Sequence, residues 1–245
     1  MTWAGAWDIW LIFLFLGVVV PWRGRIRLRE LFTRPEVSSR ERISLYLSTI
    51  LFQWVAVAIC GWRAWAHGFR FKELGIVSPS LAMVAWALVG AGTIGTLQWF
   101  NLRRAGRSGP RGDSLRRLTR AILPHSKNEL IVFLCLAVTA GLCEEFLYRG
   151  FAMLVFLRMD WPSWLVVLAS AALFGLAHLY QGRGGLIGTM LLGLVFGMIR
   201  IVTGSLLLPI FCHAAVDIAA AMAGPRFLLH TDSPSKPVTG LHSTT

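Results

Sequence analysis

Between Glu129 and Arg149 the chain reads ELIVFLCLAVTAGLCEEFLYR. The run is apolar for long enough to cross the roughly 30 Å hydrocarbon core of a bilayer, which takes about 20 residues in a helix. It ends in two adjacent acids and, one helical turn on, an arginine. An ionised side chain near the middle of a span costs about 2.5–3.5 kcal/mol on insertion scales. Acids that persist there need partners or a wet cavity, so function is the default explanation for them.

The rest of the chain repeats the apolar length. Six further stretches reach or approach it: Trp3 to Pro21, Ile43 to Trp62, Leu81 to Phe100, Ser163 to Tyr180, Gly185 to Val202 and Leu206 to Ala223. Tryptophans mark the edges, among them Trp3, Trp7, Trp22, Trp62, Trp65, Trp99, Trp161 and Trp164, as expected of an interfacial belt. Hydrophobic residues make up 56% of the 245, and mean hydropathy is +0.62, above the usual composition of soluble domains. The expected fold is all-α, a polytopic transmembrane helical bundle of about seven spans. No cleavable leader is expected, because no positive segment precedes the first apolar run and no small-residue cleavage site follows it.

The formal net charge of +12 is read through its placement. Arg23, Arg25, Arg27, Arg29, Arg34, Arg40 and Arg42 crowd the first connection. Arg103, Arg104, Arg107, Arg111, Arg116, Arg117, Arg120 and Lys127 crowd the third, whereas the second holds only Arg63, Arg70 and Lys72. The positive-inside rule then places connections one and three in the cytoplasm, the N-terminus outside and the C-terminus inside. The lipid bilayer is the partner this charge implies, and nucleic acid is not, since no polar domain interleaves cations with aromatics. A bacterial inner membrane is the expected location. Cys60, Cys135, Cys143 and Cys212 lie in apolar runs without a CxxC pair and read as small hydrophobes.

Three units are expected: membrane anchor spans with basic connections over 1–128, a core carrying the chemistry over 129–223, and a mobile polar tail over 224–245. Within the first, Leu28 to Arg42 reads as an amphipathic surface helix. Gly106, Gly109, Pro110 and Gly112 read as a flexible break. Asp8 reads as an interfacial acid, Arg200 as a cation snorkelling to the headgroups, and Pro209 as a break at the start of the last span.

The polar residues of the second half fall on helical spacings. Glu145 and Arg149 are i, i+4 with the acid first, the better order for an ion pair. Glu144 lies about 100° around the helix from Glu145, so the two acids need not share a task. Phe174 precedes His178 by one turn and can pack on its ring. His213 and Asp217 again share a face. Small residues nearby, such as Gly175, Gly193, Gly197 and Ala214, permit close helix approach.

These motifs, Glu144-Glu145 with Arg149, Phe174 with His178, and His213 with Asp217, on successive apolar helices, resemble the CPBP family of CAAX-protease and bacteriocin-processing intramembrane endopeptidases (Abi proteins). The resemblance covers roughly Glu129 to Ala223. It implies an intramembrane endopeptidase of glutamic type, with Glu144 as general base on a water that His178 holds. His213 and Asp217 would stabilise the oxyanion, and Glu145 and Arg149 would brace the site. The implied substrate is a membrane-associated or lipid-modified protein or peptide, and no cofactor is needed.

The chemistry supports such an assignment: amide hydrolysis needs a base beside a water and donors aimed at the developing oxyanion. Asp217 fits less simply, because an ionised carboxylate donates no hydrogen bond. Either it is protonated, or it orients His213, which the i, i+4 spacing makes easier. Two other readings compete. One is a zinc protease using Glu144 or Glu145 with His178 and His213, a donor set that suits catalytic zinc. The other is a non-enzymatic transporter or immunity protein with the same cluster as a proton relay. With the span ending at Tyr148, Glu144 is expected toward the external leaflet.

Overall fold

Secondary structure follows local chemistry closely. The computed structural model describes residues 7–34, 36–107 and 109–229, and all regular structure in them is helical. Helix α1 is continuous from Trp7–Leu14 through a π-turn at Phe15–Val19 to Val20–Thr33. The π-turn has a cause. Pro21 has no N–H for the Gly17 carbonyl and its ring would collide with it, so the backbone widens there. Helix α2 (Ser39–Ala66) begins at a capping box, in which Ser38 accepts from the Glu41 N–H and Glu41 accepts from the Ser38 N–H. Ser80 caps α3 (Leu81–Ala105). Helix α4 (Gly109–Ile122) leads to α5, which runs as Lys127–Glu145, a π-segment Phe146–Ala152 and Met153–Arg158. Helix α6 (Ser163–Ala177), a short 3-10 turn Leu179–Gln181, α7 (Gly182–Thr203) and α8 (Leu207–Leu228) complete the order.

Six of these helices are long and apolar enough to cross a membrane, and α6 is a shorter apolar one. Their outward faces carry exposed apolar side chains, for instance Leu51, Trp54, Val55 and Ile59 on α2 and Trp86, Leu88 and Val89 on α3. Lipid, not water, suits such a surface. The protein is an integral membrane protein with roughly seven apolar helices.

Polar clasps mark the two ends of the bundle. At one end Asp8 on α1 meets Arg63 and His67 at the end of α2. There Glu73 pairs with Arg158, and Leu206 N–H donates to the Gly75 carbonyl. The Arg70 backbone N–H and the Arg158 guanidinium hold the Glu73 carboxyl below its ordinary value. That contribution to stability is present above the usual carboxylate range and fades as pH falls through it. At the other end Arg42 Nε donates to Glu129 Oε2 at 2.8 Å, both side chains buried, and Tyr46 Oη donates to the Ile122 carbonyl at 2.5 Å.

Several expectations are corrected by this arrangement. Leu28 to Arg42 is not a separate surface helix: α1 continues to Thr33, and Arg42 lies inside α2 because Glu129 neutralises it. Gly109 to Ile122 is helical rather than a flexible break. Pro110 falls in its first turn, where a missing N–H costs nothing. Pro209 likewise sits in the first turn of α8 and breaks nothing. Pro225 lies within α8, so the helix passes the expected boundary at 223 and ends at Leu228. Of the expected tail, 230–245 lies outside the described residues, as does Trp3. Arg200 does not snorkel: its guanidinium donates to the Glu73 carbonyl at 2.6 Å and holds the 67–80 connection. Gly75 there has φ +82°, and a Cβ would stand 2.5 Å from Arg200 Nε.

Close helix approach seats α8 on α5. A Cβ at Gly141 would lie 2.9 Å from the Ile210 carbonyl oxygen and 3.3 Å from Ala214 Cβ. The first neighbour is backbone and cannot rotate away. Gly141→Val is expected to cost about 1–3 kcal/mol by overpacking and to lower activity further than stability, because it displaces His213 from α5. Thermal unfolding in detergent beside a cleavage assay checks both.

Candidate active site

The site forms where α5, α6 and α8 meet at mid-bundle, with α2 closing one side. The acids stand deeper than the sequence suggested. Arg149 is charged and so marks the end of the apolar run at Tyr148, yet its guanidinium is fully buried and the helix continues to Arg158. Glu144 therefore lies near the middle of the helical run Lys127–Arg158, not near its far end. By helical rise Glu144 is about 21 Å back from Arg158 and His178 about 22 Å on from Ser163. The short helix α6 thus stops at the depth of Glu144.

Glu145 is the hub of the buried half. Its Oε1 accepts from Arg149 at 2.8 Å and faces His213 Nδ1 at 2.8 Å. Glu145 and Arg149 are wholly buried, and His213 nearly so. A carboxylate only accepts, so the ring presents Nδ1–H to it. The π-segment begins directly after Glu145 and carries Arg149. Arg149 keeps Nε and one terminal nitrogen without a hydrogen-bond partner. Instead its guanidinium lies 4.2 Å from the Phe174 ring centroid and 5.6 Å from that of Phe196, an attraction of roughly 2 kcal/mol when desolvated. Gly193 leaves room for it, since a Cβ would stand 3.2 Å from its Nη2 and 3.0 Å from the Ala171 backbone.

Glu144 points elsewhere. Its Oε1 accepts from Gln53 Nε2 on α2 at 2.7 Å. Its Oε2, buried and without a protein hydrogen-bond partner, lies 3.9 Å from both His178 Nε2 and His213 Nε2. His178 Nδ1 is 2.9 Å from the Phe174 carbonyl. A carbonyl can only accept, so this nitrogen carries the proton and Nε2 presents its lone pair toward Glu144. Phe174 holds both imidazoles, its ring 4.7 Å from that of His178 and edge-on to His213 at 5.6 Å.

Every residue singled out in the sequence, Glu144, Glu145, Arg149, Phe174, His178, His213 and Asp217, lies in this one cluster. Asp217 is its outermost member, with a side chain 34% exposed and Oδ2 3.8 Å from His213 Nε2. The orientation of His213 expected from Asp217 is supplied instead by Glu145, which takes Nδ1. Gln53 was missed. Its signal was a lone amide inside the apolar run Leu51-Phe52-Gln53-Trp54-Val55, and such a residue needs a partner in a membrane.

A cavity of about 180 Å³ reaches Glu144, Tyr148 and His178 from the end of the bundle that holds Tyr46 and Ile122. Its walls come mainly from α1 and α2. Among the described residues no group of three or more His, Cys, Asp or Glu is disposed to hold a metal ion.

Fold and site together define an integral membrane protein with an acid–histidine centre enclosed by its helices. Residues 126–219 match the family described as Type II CAAX prenyl endopeptidase Rce1-like, in agreement with the resemblance carried by the three motifs. An uncharacterized 24.3 kDa protein of Escherichia coli is 38% identical over 97 residues, which cover 39% of this chain and 45% of that protein. The chain thus matches less than half the length of that relative. No solved structure matches. The matched segment holds Glu144, Glu145, Arg149, Phe174, His178, His213 and Asp217 but none of α1 to α3. CAAX-type endopeptidase activity is what this family implies in general.

Proposed function

We propose that the protein is a glutamate-dependent intramembrane endopeptidase that hydrolyses a peptide bond of a lipid-modified or membrane-associated substrate. The observation that carries this reading is the unpartnered Oε2 of Glu144, equidistant at 3.9 Å from two imidazole nitrogens. A water bound about 2.8 Å from both Glu144 Oε2 and His178 Nε2 fits that spacing. His178, protonated at Nδ1, accepts one water proton at Nε2 in a hydrogen bond. Glu144 removes the other, while Gln53 keeps the carboxylate turned.

The water oxygen bonds to the scissile carbonyl carbon, and charge moves to the carbonyl oxygen. His213, its Nδ1–H held by Glu145, carries a second proton at Nε2 and donates it in a hydrogen bond to that oxyanion. Asp217 flanks the same nitrogen and favours the donor form of the ring. The C–N bond then breaks as Glu144 returns its proton to the departing amine. Preorganised donors of this kind supply about 3–4 kcal/mol each in acyl-transfer enzymes.

The cavity runs toward the basic side of the bundle, where the 34–38 and 106–126 connections lie. The positive-inside rule assigns that side to the cytoplasm, in a bacterial cell the cytoplasmic face of the inner membrane. The test is cleavage of a fluorogenic peptide ending in a prenylated cysteine and three further residues by protein in lipid nanodiscs. Cleavage should persist undiminished after EDTA and 1,10-phenanthroline treatment, with substoichiometric metal by mass spectrometry. Loss of activity on chelation, restored by zinc, would overturn the metal-free mechanism.

A further inference from the structure

The reaction above stabilises the oxyanion with one hydrogen-bond donor, His213 Nε2. Sites for acyl transfer commonly aim more than one preorganised donor at the developing charge. Asp217 flanks His213 Nε2, but an ionised carboxylate only accepts. Tyr180, which the reaction does not use, can supply a second donor.

Tyr180 lies on the 3-10 turn Leu179–Gln181, two residues beyond His178. It lines the same cavity as Glu144 and His178, and its ring centroid is 5.9 Å from that of His178. The ring packs against the core cluster that includes Leu28 of α1, Tyr46 of α2 and Ala221 of α8. Gly24 of α1 backs it closely, since a Cβ there would stand 3.5 Å from Tyr180 Cδ1. The phenol is thus set in place by packing rather than left to swing.

Its hydroxyl is set as well. Gln181 Nε2 donates to the Tyr180 oxygen at 3.2 Å. That bond occupies a lone pair and turns the phenolic proton away from Gln181, and the proton has no acceptor among the described residues. The carboxylates of Glu144 on α5 and Asp217 on α8 both act electrostatically on Tyr180. The same two acids stand 3.9 and 3.8 Å from His213 Nε2. A phenol suits this position because it donates while neutral, whereas a cation would pair with the acids.

We propose that Tyr180 is a catalytic residue whose O–H donates, alongside His213 Nε2, to the oxyanion of the tetrahedral intermediate. No proton leaves the phenol. The hydrogen bond forms as charge builds on the carbonyl oxygen and is released when the C–N bond breaks. The inference rests on the proteolytic reading and adds to that site a residue outside its three motifs.

The test uses full-length protein in nanodiscs and Tyr180→Phe, which keeps the ring and removes the donor. With the fluorogenic peptide, kcat should fall about 10²–10³-fold, with KM changed by less than about twofold. Two analogues of the peptide, altered at the bond that is cleaved, give a readout that packing alone would not move. A phosphinic analogue has a tetrahedral centre with an anionic oxygen, and a reduced amide has no oxygen there. Tyr180→Phe should weaken the phosphinic analogue by about tenfold or more and leave the reduced amide within about twofold. Retained binding of the reduced amide also shows that the variant is folded.

Wild-type cleavage with kcat of Tyr180→Phe unchanged overturns the assignment and leaves the proteolytic reading standing. So does equal weakening of both analogues, which makes Tyr180 a packing residue. Folded wild-type protein that cleaves no peptide and binds neither analogue removes the proteolytic reading, and the assignment with it.

Discussion

Replacing Arg149 with Met is expected to destabilise the protein by about 3–5 kcal/mol, the cost of leaving a buried carboxylate without its cation. Glu145 is wholly enclosed, and Arg149 is its only guanidinium partner among the described residues. His213 would then be the sole donor to a charge at mid-membrane depth. The loss should appear as a lower unfolding midpoint and a smaller monodisperse fraction in detergent. Adding Glu145→Gln should recover most of it, since a neutral amide no longer demands a counter-charge. Activity should not recover, because the amide holds the His213 ring differently from the native carboxylate. A single substitution costing under about 1 kcal/mol would place water, or a relaxed backbone, around Glu145.

Glu144→Gln is expected to separate chemistry from folding. The amide keeps an oxygen for the Gln53 N–H, so stability should be unchanged within about 0.5 kcal/mol. Cleavage should fall by about 10²–10⁴-fold, the range for loss of a general base, chiefly in kcat. Glu145→Gln alone offers the contrast. It should lower stability and activity together, because it leaves Arg149 buried without its carboxylate. Neighbouring acids with opposite signatures would follow directly from their different partners. Matching losses at both positions would contradict the division between them.

The helical composition and the approximate number of spans were legible because each rests on local periodicity, and the grouping of six polar residues with Phe174 was implied by the resemblance. Length and hydropathy define a span, and i, i+4 spacing puts Glu145 beside Arg149 wherever the helix goes. What was not legible depended on distant partners. Arg42 looked like a loop cation until Glu129, far along the chain, neutralised it. Arg149 read as the end of a span for the same reason, although the helix continues to Arg158. The partner of His213 was misjudged because spacing speaks only for residues on one helix. Asp217 shares α8 with His213, but the closer carboxylate comes from α5, brought there by the Gly141 contact. Gln53 was readable in principle, as a lone amide in an apolar run, but its acceptor was not.

The most direct measurement compares protein termini in membranes from cells carrying the wild-type chain with those carrying Glu144→Gln at equal abundance. A discrete set of membrane-associated proteins should keep intact C-termini in the variant and shortened ones in the wild type. The shortened forms should lose only a few residues. Identical termini in the two membranes, with both proteins folded and equally expressed, would contradict the account.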